Sequence, residues 1–189
     1  MMRRVLAAFI ALTCVALLSS CSTLQVIRDE NDPNQGSDAQ MQHIADAVKH
    51  HDAAALKKLF SSTARQKATD LDGGLKYFLS QFPSGFTKWV SEGDGTEGSN
   101  TSRGQLEEVL PSYEVFANGK KYDLDFADFT VDQADPNNVG IYALGAAPHN
   151  AHAYTNPTAS SKAFDAWSSQ FVNEDGKVYG DPGVYVPRN

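Results

Sequence analysis

The sequence predicts an α+β domain in which N-terminal helices pack in a strongly curved antiparallel sheet. Three observations carry this. Apolar residues recur at helical spacing between Met41 and Phe82, and after Gly85 the period changes to two. Near Phe126 and Ala127 the two-residue alternation then slips phase once, which is the mark of a β-bulge and of a sheet that bends sharply.

The elements follow in order. Met41, Ile44, Ala45 and Val48 form one apolar stripe, so a helix is expected over Asp38 to His50, with Ser37 and Gln40 placed as a capping box. Asp52 is positioned to cap a second helix carrying Leu56, Leu59 and Phe60. A third short helix spans Thr63 to Ala68. A fourth, with Leu71, Leu75, Phe78, Leu79 and Phe82 on one face, ends near Pro83 and Gly85. Phe86 to Ser91 reads as a strand, and Glu92 to Gly104, rich in Gly, Ser and acids, as a long hairpin loop or irregular edge. Leu106 to Ala117 is a long strand in which Pro111 marks an edge or a bulge, and Asn118-Gly119 is a strong hairpin signal. The returning strand contains the phase slip. Asp135-Pro136-Asn137-Asn138 makes the next turn, Val139 to Ala146 the next strand, and Val184 to Val186 a short final one. Between them, Phe164, Trp167 and Phe171 suggest one more helix that closes a side of the sheet or its mouth.

Ahead of all this stands an address. Arg3 and Arg4 precede an apolar run from Val5 to Leu18, followed by Leu18-Ser19-Ser20-Cys21. The run is about 14 residues, short of the roughly 20 that a membrane-spanning helix needs, so it reads as a cleaved signal. Leu-Ser-Ser-Cys resembles the lipobox, which implies that Cys21 is diacylated and becomes the new N-terminus. Residues 1–20 are then the signal peptide, 21–36 a charged, turn-rich tether and 37–189 a single domain. The protein is expected on the cell membrane, lipid-anchored and facing outside the cytoplasm, with the membrane as its partner through Cys21.

The cut changes the composition. Cys14 leaves with the signal and Cys21 is alkylated, so disulfides, a cysteine nucleophile and a thiolate metal site are all excluded. Loss of Arg3 and Arg4 takes the formal charge from −7 to −9. With no basic run to offset this, no nucleic-acid groove is expected, and the overall charge argues against strong attraction to anionic lipid headgroups.

The succession Leu56-Lys57-Lys58-Leu59-Phe60-Ser61, Asp70-Leu71-Asp72, Tyr113-Glu114-Val115, Val139-Gly140-Ile141-Tyr142-Ala143-Leu144 and Pro182-Gly183-Val184-Tyr185-Val186-Pro187 resembles bacterial lipoproteins of domain of unknown function family 5104, from about Ala39 to Pro187. The resemblance implies a nuclear transport factor 2-like fold, the cone of curved sheet on helices that ketosteroid isomerase and scytalone dehydratase share with many non-enzymatic modules. Fold alone does not set function.

Candidate chemistry is sparse. His149 and His152, with His50 and His51 elsewhere, lack the converging set that zinc requires. The acidic run Asp123, Asp125, Asp128, Asp132 and Asp135 lacks the calcium-loop pattern, and alternation puts Asp123 and Asp125 on a solvated face opposite Leu124. No Gly-x-Ser-x-Gly elbow or phosphate-cradling glycine loop occurs. In a cone, Tyr77, Trp89, Tyr113 and Tyr142 would line the pocket, and an isomerase or dehydratase would need a carboxylate or histidine base opposite a donor; Asp70 and Asp72 have the right side chains but read equally as helix caps, and with no pair fixed by spacing no catalytic residue is assigned. Neither a metal nor a cofactor is expected. The favoured expectation is a non-enzymatic module that binds a small apolar ligand or an envelope protein. The alternative is a small pocket enzyme acting on an apolar substrate.

Overall fold

A computed structural model describes residues 35–101, 103–149 and 181–186. All belong to the second of the two units into which the chain divides, Pro33–Asn189. The signal, the lipobox cysteine, most of the tether, His152 and the Phe164–Phe171 helix lie outside the described residues.

Four helices come first: α1 (Gln35–Lys49), α2 (Ala53–Leu59), α3 (Ser62–Lys67) and α4 (Leu71–Gln81). Three of their starts are fixed by side-chain caps. The Asp52 carboxylate accepts from the Ala55 amide at 2.8 Å, the Ser61 hydroxyl from Ala64 at 3.0 Å and the Asp70 carboxylate from Gly73 at 3.0 Å. The expected box at Ser37 and Gln40 is not how α1 begins. The helix starts two residues earlier, which places Ser37 inside it, and the Ser37 hydroxyl donates instead to Asp94 in the sheet at 2.7 Å.

Five strands follow: β1 (Lys88–Thr101), β2 (Gly104–Ala117), β3 (Lys120–Asp132), β4 (Gly140–Pro148) and β5 (Gly183–Tyr185), with a 3-10 turn at Pro136–Asn138. They hydrogen-bond in chain order; β1 to β4 form an antiparallel meander, and β5 runs parallel to β4. Of the two readings of 92–104, residues 92–101 bear out the irregular edge and not the loop. They prolong β1 along β2 as far as the Thr101–Gly104 pair, because the β2 ladder offers bonds that weak intrinsic strand propensity does not forbid.

Three register shifts curl this sheet. One lies between Ser91 and Gly93 of β1, one between Glu107 and Glu108 of β2, opposite Thr130, and one between Ala127 and Asp128 of β3. The last lies where the sequence shows its phase slip, but its extra residue is Tyr142 on β4, so it does not itself shift the alternation of β3. Pro111 lies in the interior strand β2, not at an edge. It stands in register with Asp94, and the ladder to β3 steps over Leu110 and Pro111, where proline has no amide to give.

Helices and sheet share one core. Met41, Ile44 and Val48 of α1, Leu71, Leu75 and Phe78 of α4, and Leu124, Phe126 and Leu144 of the sheet are all buried in it. Phe82, just past α4, is a junction whose ring meets Phe78, Phe86 and Tyr122 edge-on at 5.2, 4.9 and 5.1 Å. On its outer edge β4 is held by two separate segments, since Phe60 bridges Ile141 and β5 pairs with Ala143 to Gly145. The first of these contacts needs Gly140. It has a φ of +115°, and a Cβ there would lie 3.1 Å from the Leu59 carbonyl and the Ser61 amide nitrogen.

Candidate functional site

A polar cluster with aromatic walls lies where the first turn of α1 meets β1 and β2. Trp89 packs edge-on against Tyr113 at 5.5 Å, and Tyr113 stacks parallel to Phe126 at 6.0 Å. The Tyr113 hydroxyl donates to Asp38 Oδ1 at 2.9 Å. Its neighbour in α1, Ser37, makes the bond to Asp94, so two consecutive helical residues reach two different strands.

Burial pushes the Tyr113 phenol well above its ordinary range, and the hydrogen bond to Asp38 and the charges of Asp38 and Asp94 push it further. The phenol is therefore a protonated donor throughout the physiological range. Its single proton is directed at Asp38, so serving an oxyanion would first require that bond to break.

A second aromatic group lies along β4 and β5. Tyr142 meets Phe129 edge-on at 5.5 Å, and the Tyr185 hydroxyl donates to the Asp181 carbonyl at 2.5 Å. Burial, then the Asp181 charge, raises both phenols. Tyr77 stands half-buried on α4. Of the four aromatic residues expected to line a pocket, the fold thus joins Trp89 to Tyr113, while Tyr142 belongs to the second group.

The carboxylates with the right side chains for a base have structural duties. Asp70 caps α4 from a left-handed conformation with φ of 51°, and Asp72 pairs with Lys57 at 2.7 Å; both are exposed. The acidic run on β3 departs from expectation in the opposite sense. Asp123 is buried, not solvated, and its Oδ1 lies 2.8 Å from His149 Nδ1, while Asp125 is half-buried. Asp123 stands in register between Glu114 of β2 and Ala147 of β4, so neighbouring strands flank it on both sides. Asp132 is buried as well and accepts from the Ala134 and Asp135 amides and the Asn138 side chain, pinning the turn that follows.

Asp128 is a perturbed carboxyl of the run. It stands in register with Val109 on one side and Ile141 on the other, and both of these are buried. Residues in register share a face, so the carboxyl sits in an apolar row. Desolvation there raises its pKa to about 6.

Of the histidines, His51 Nε2 lies 2.9 Å from the Pro83 carbonyl, tying the α1–α2 corner to the end of α4, and His50 is exposed. Among the described residues, no three His, Cys, Asp or Glu side chains converge as metal ligands, and no helix is long and apolar enough to cross a membrane.

Sequence reasoning missed Asp38, Asp94 and Asp128. Asp38 looks like any acid in a first helical turn, and Asp94 lies in a stretch with loop composition. Only the apolar neighbours of Asp128 across the ladder, far away in sequence, distinguish it from the other acids of its strand.

The model of the family described as Domain of unknown function (DUF5104) matches residues 43–148, from the middle of α1 to the end of β4. The chain belongs to this family. The matched span contains Trp89, Tyr113, Asp94 and Asp128 but not Asp38 or β5. Among curated proteins, none matches this sequence.

Proposed function

We propose that this DUF5104 protein is a bacterial lipoprotein, anchored outside the cytoplasm through acylated Cys21, whose cone-like domain of nuclear transport factor 2 type is a non-catalytic module for a small apolar ligand or an envelope protein. The anchoring half rests on Leu18-Ser19-Ser20-Cys21 behind a short apolar run. Two acyl chains on one residue meet the usual need for two signals in stable attachment.

The non-catalytic half rests on one observation, the commitment of the Tyr113 hydroxyl to Asp38. An isomerase or dehydratase needs a donor aimed at an incoming oxygen, and here the best-placed donor is spent in joining α1 to the sheet. Asp70 and Asp72 are likewise occupied at the surface. A second reading, a small pocket enzyme, draws support from Asp128, whose carboxyl in an apolar row titrates near the range useful to a general base.

Two measurements test the pair. Labelled palmitate should enter the wild-type protein and not Cys21→Ser; equal labelling would remove the anchor. Native mass spectrometry of protein purified from its own host should show a mass lost on denaturation if the domain carries a small molecule. A clean apo mass shifts the search to an envelope protein, sought by crosslinking in the intact cell.

A further inference from the structure

The β2–β3 hairpin turns on Asn118-Gly119, the one place in the sequence where asparagine precedes glycine. That pair is chemically reactive in any chain. The carboxamide carbon is an electrophile close to its own backbone, and the amide nitrogen of the next residue can attack it to close a succinimide ring; glycine, lacking a Cβ, hinders the attack least. Here both residues are exposed, with φ of 52° and 71°, and a Cβ on Gly119 would meet nothing within 4 Å, so no neighbour crowds the turn. One contact holds the carboxamide. Asn118 Nδ2 donates to the Gln81 carbonyl at 3.1 Å. Gln81 is the last residue of α4, where carbonyls have no amide of a following helical turn to accept from. The hairpin tip thus caps the helix from outside.

We propose that Asn118 is a site of spontaneous deamidation, held in check by its bond to Gln81 and opened to reaction when the hairpin tip lifts from α4. The Gly119 amide nitrogen forms a bond to Asn118 Cγ, the Cγ–Nδ2 bond breaks, and the Gly119 amide proton leaves with the Nδ2 group as ammonia. Water then opens the ring. Attack at Cγ leaves an aspartate at this position; attack at the main-chain carbonyl leaves an isoaspartate, whose backbone runs through Cβ and Cγ. No oxidant, metal or enzyme is needed. Either product reverses the contact with α4. A carboxylate has no proton to donate to Gln81, and it places negative charge at the helix end that is already negative. Isoaspartate also adds a backbone atom to a two-residue turn, where the twist of both strands depends on the turn's geometry. The modification therefore loosens the seam between α4 and the hairpin, and its extent records how often that seam has opened.

The test ages the full-length protein in mildly alkaline buffer, folded and in concentrated urea, and follows the peptide containing Asn118 by mass spectrometry. The mass should rise by one amide-to-acid exchange, with isoaspartate among the products, and about tenfold more slowly in the folded protein than in urea, the factor that a hydrogen bond of ordinary strength sets. Urea below the unfolding transition should already speed the reaction, because lifting the tip is a local opening. Equal rates folded and unfolded overturn the check by Gln81, a rate unchanged until global unfolding overturns the local opening, and no mass gain even in urea overturns the site. Asn118→Ser should abolish the gain in this peptide; a gain that survives places the reaction elsewhere. The aged form, separated by its added charge, and Asn118→Asp should both melt below the unmodified protein. If that variant misfolds, the aged form carries the comparison alone, and an unchanged melting temperature overturns the loosening of the seam.

Discussion

Replacing Asp128 by Asn should make the protein more stable at neutral pH. Burial between Val109 and Ile141 lifts this carboxyl from the usual 3.8 to about 6. The folded state therefore holds the proton more tightly than the unfolded chain, and between these two values folding takes up protons. Stability is highest, as far as this group is concerned, below 3.8, and is lost as pH rises through 6. A shift of this size corresponds to about 3 kcal/mol at pH 7, at about 1.4 kcal/mol per unit. Asn has nearly the same shape and no charge to desolvate. Its amide still wants partners, which offsets about 1 kcal/mol, so the net gain at pH 7 is about 2 kcal/mol. Urea unfolding of both proteins at several pH values checks this. The difference between their unfolding free energies should be small near pH 4 and grow in favour of Asp128→Asn up to pH 7, with its steepest change between 4 and 6. A flat difference, or a variant that loses ground as pH rises, would refute the account and mean that a cation or donor stabilises the carboxylate.

Three further outcomes follow from the same geometry. Tyr113→Phe keeps the stacking on Trp89 and Phe126 but removes the donor to Asp38, and should cost about 1.5 to 3 kcal/mol in denaturant unfolding; no loss would mean that Asp38 is satisfied by water alone. Gly140→Ala forces a Cβ against the Leu59 carbonyl and Ser61 amide at a positive φ, and should lower stability by at least about 2 kcal/mol, seen as a fall in melting temperature by circular dichroism. At Asp70, Asn keeps both the cap and the left-handed conformation and should be nearly silent, whereas Ala should cost about 1 to 2 kcal/mol; equal effects of the two would show that the cap contributes nothing.

The helical part was legible because its signals are local. The stripe from Met41 to Val48, the caps at Asp52 and the stop near Pro83 all depend on residues within a turn or two, and the helices end within a few residues of the positions they predict. The place of the bend was legible too, since a β3–β4 register shift lies beside the phase slip at Phe126–Ala127, although its extra residue, Tyr142, is on the partner strand. What could not be read depends on partners distant in the chain. Glu92 to Thr101 has loop composition and is nonetheless strand, because β2 lies beside it. The same holds at the candidate site. Trp89 and Tyr113 stood out as aromatic residues on neighbouring strands, yet the acceptor for Tyr113 comes from 75 residues earlier. Asp123 alternates like a surface residue and is buried because strands and His149 enclose it.

The outer edge of β4 receives Phe60 from just past α2 and Gly183 to Tyr185 from the last residues of the chain, and a Cβ on Gly74 of α4 would lie 3.1 Å from Val184. The final strand therefore covers part of what would otherwise be an open edge of the meander. A variant in which it is loosened would offer unpaired amides and carbonyls along Ala143 to Gly145, a template on which a strand from another molecule could pair.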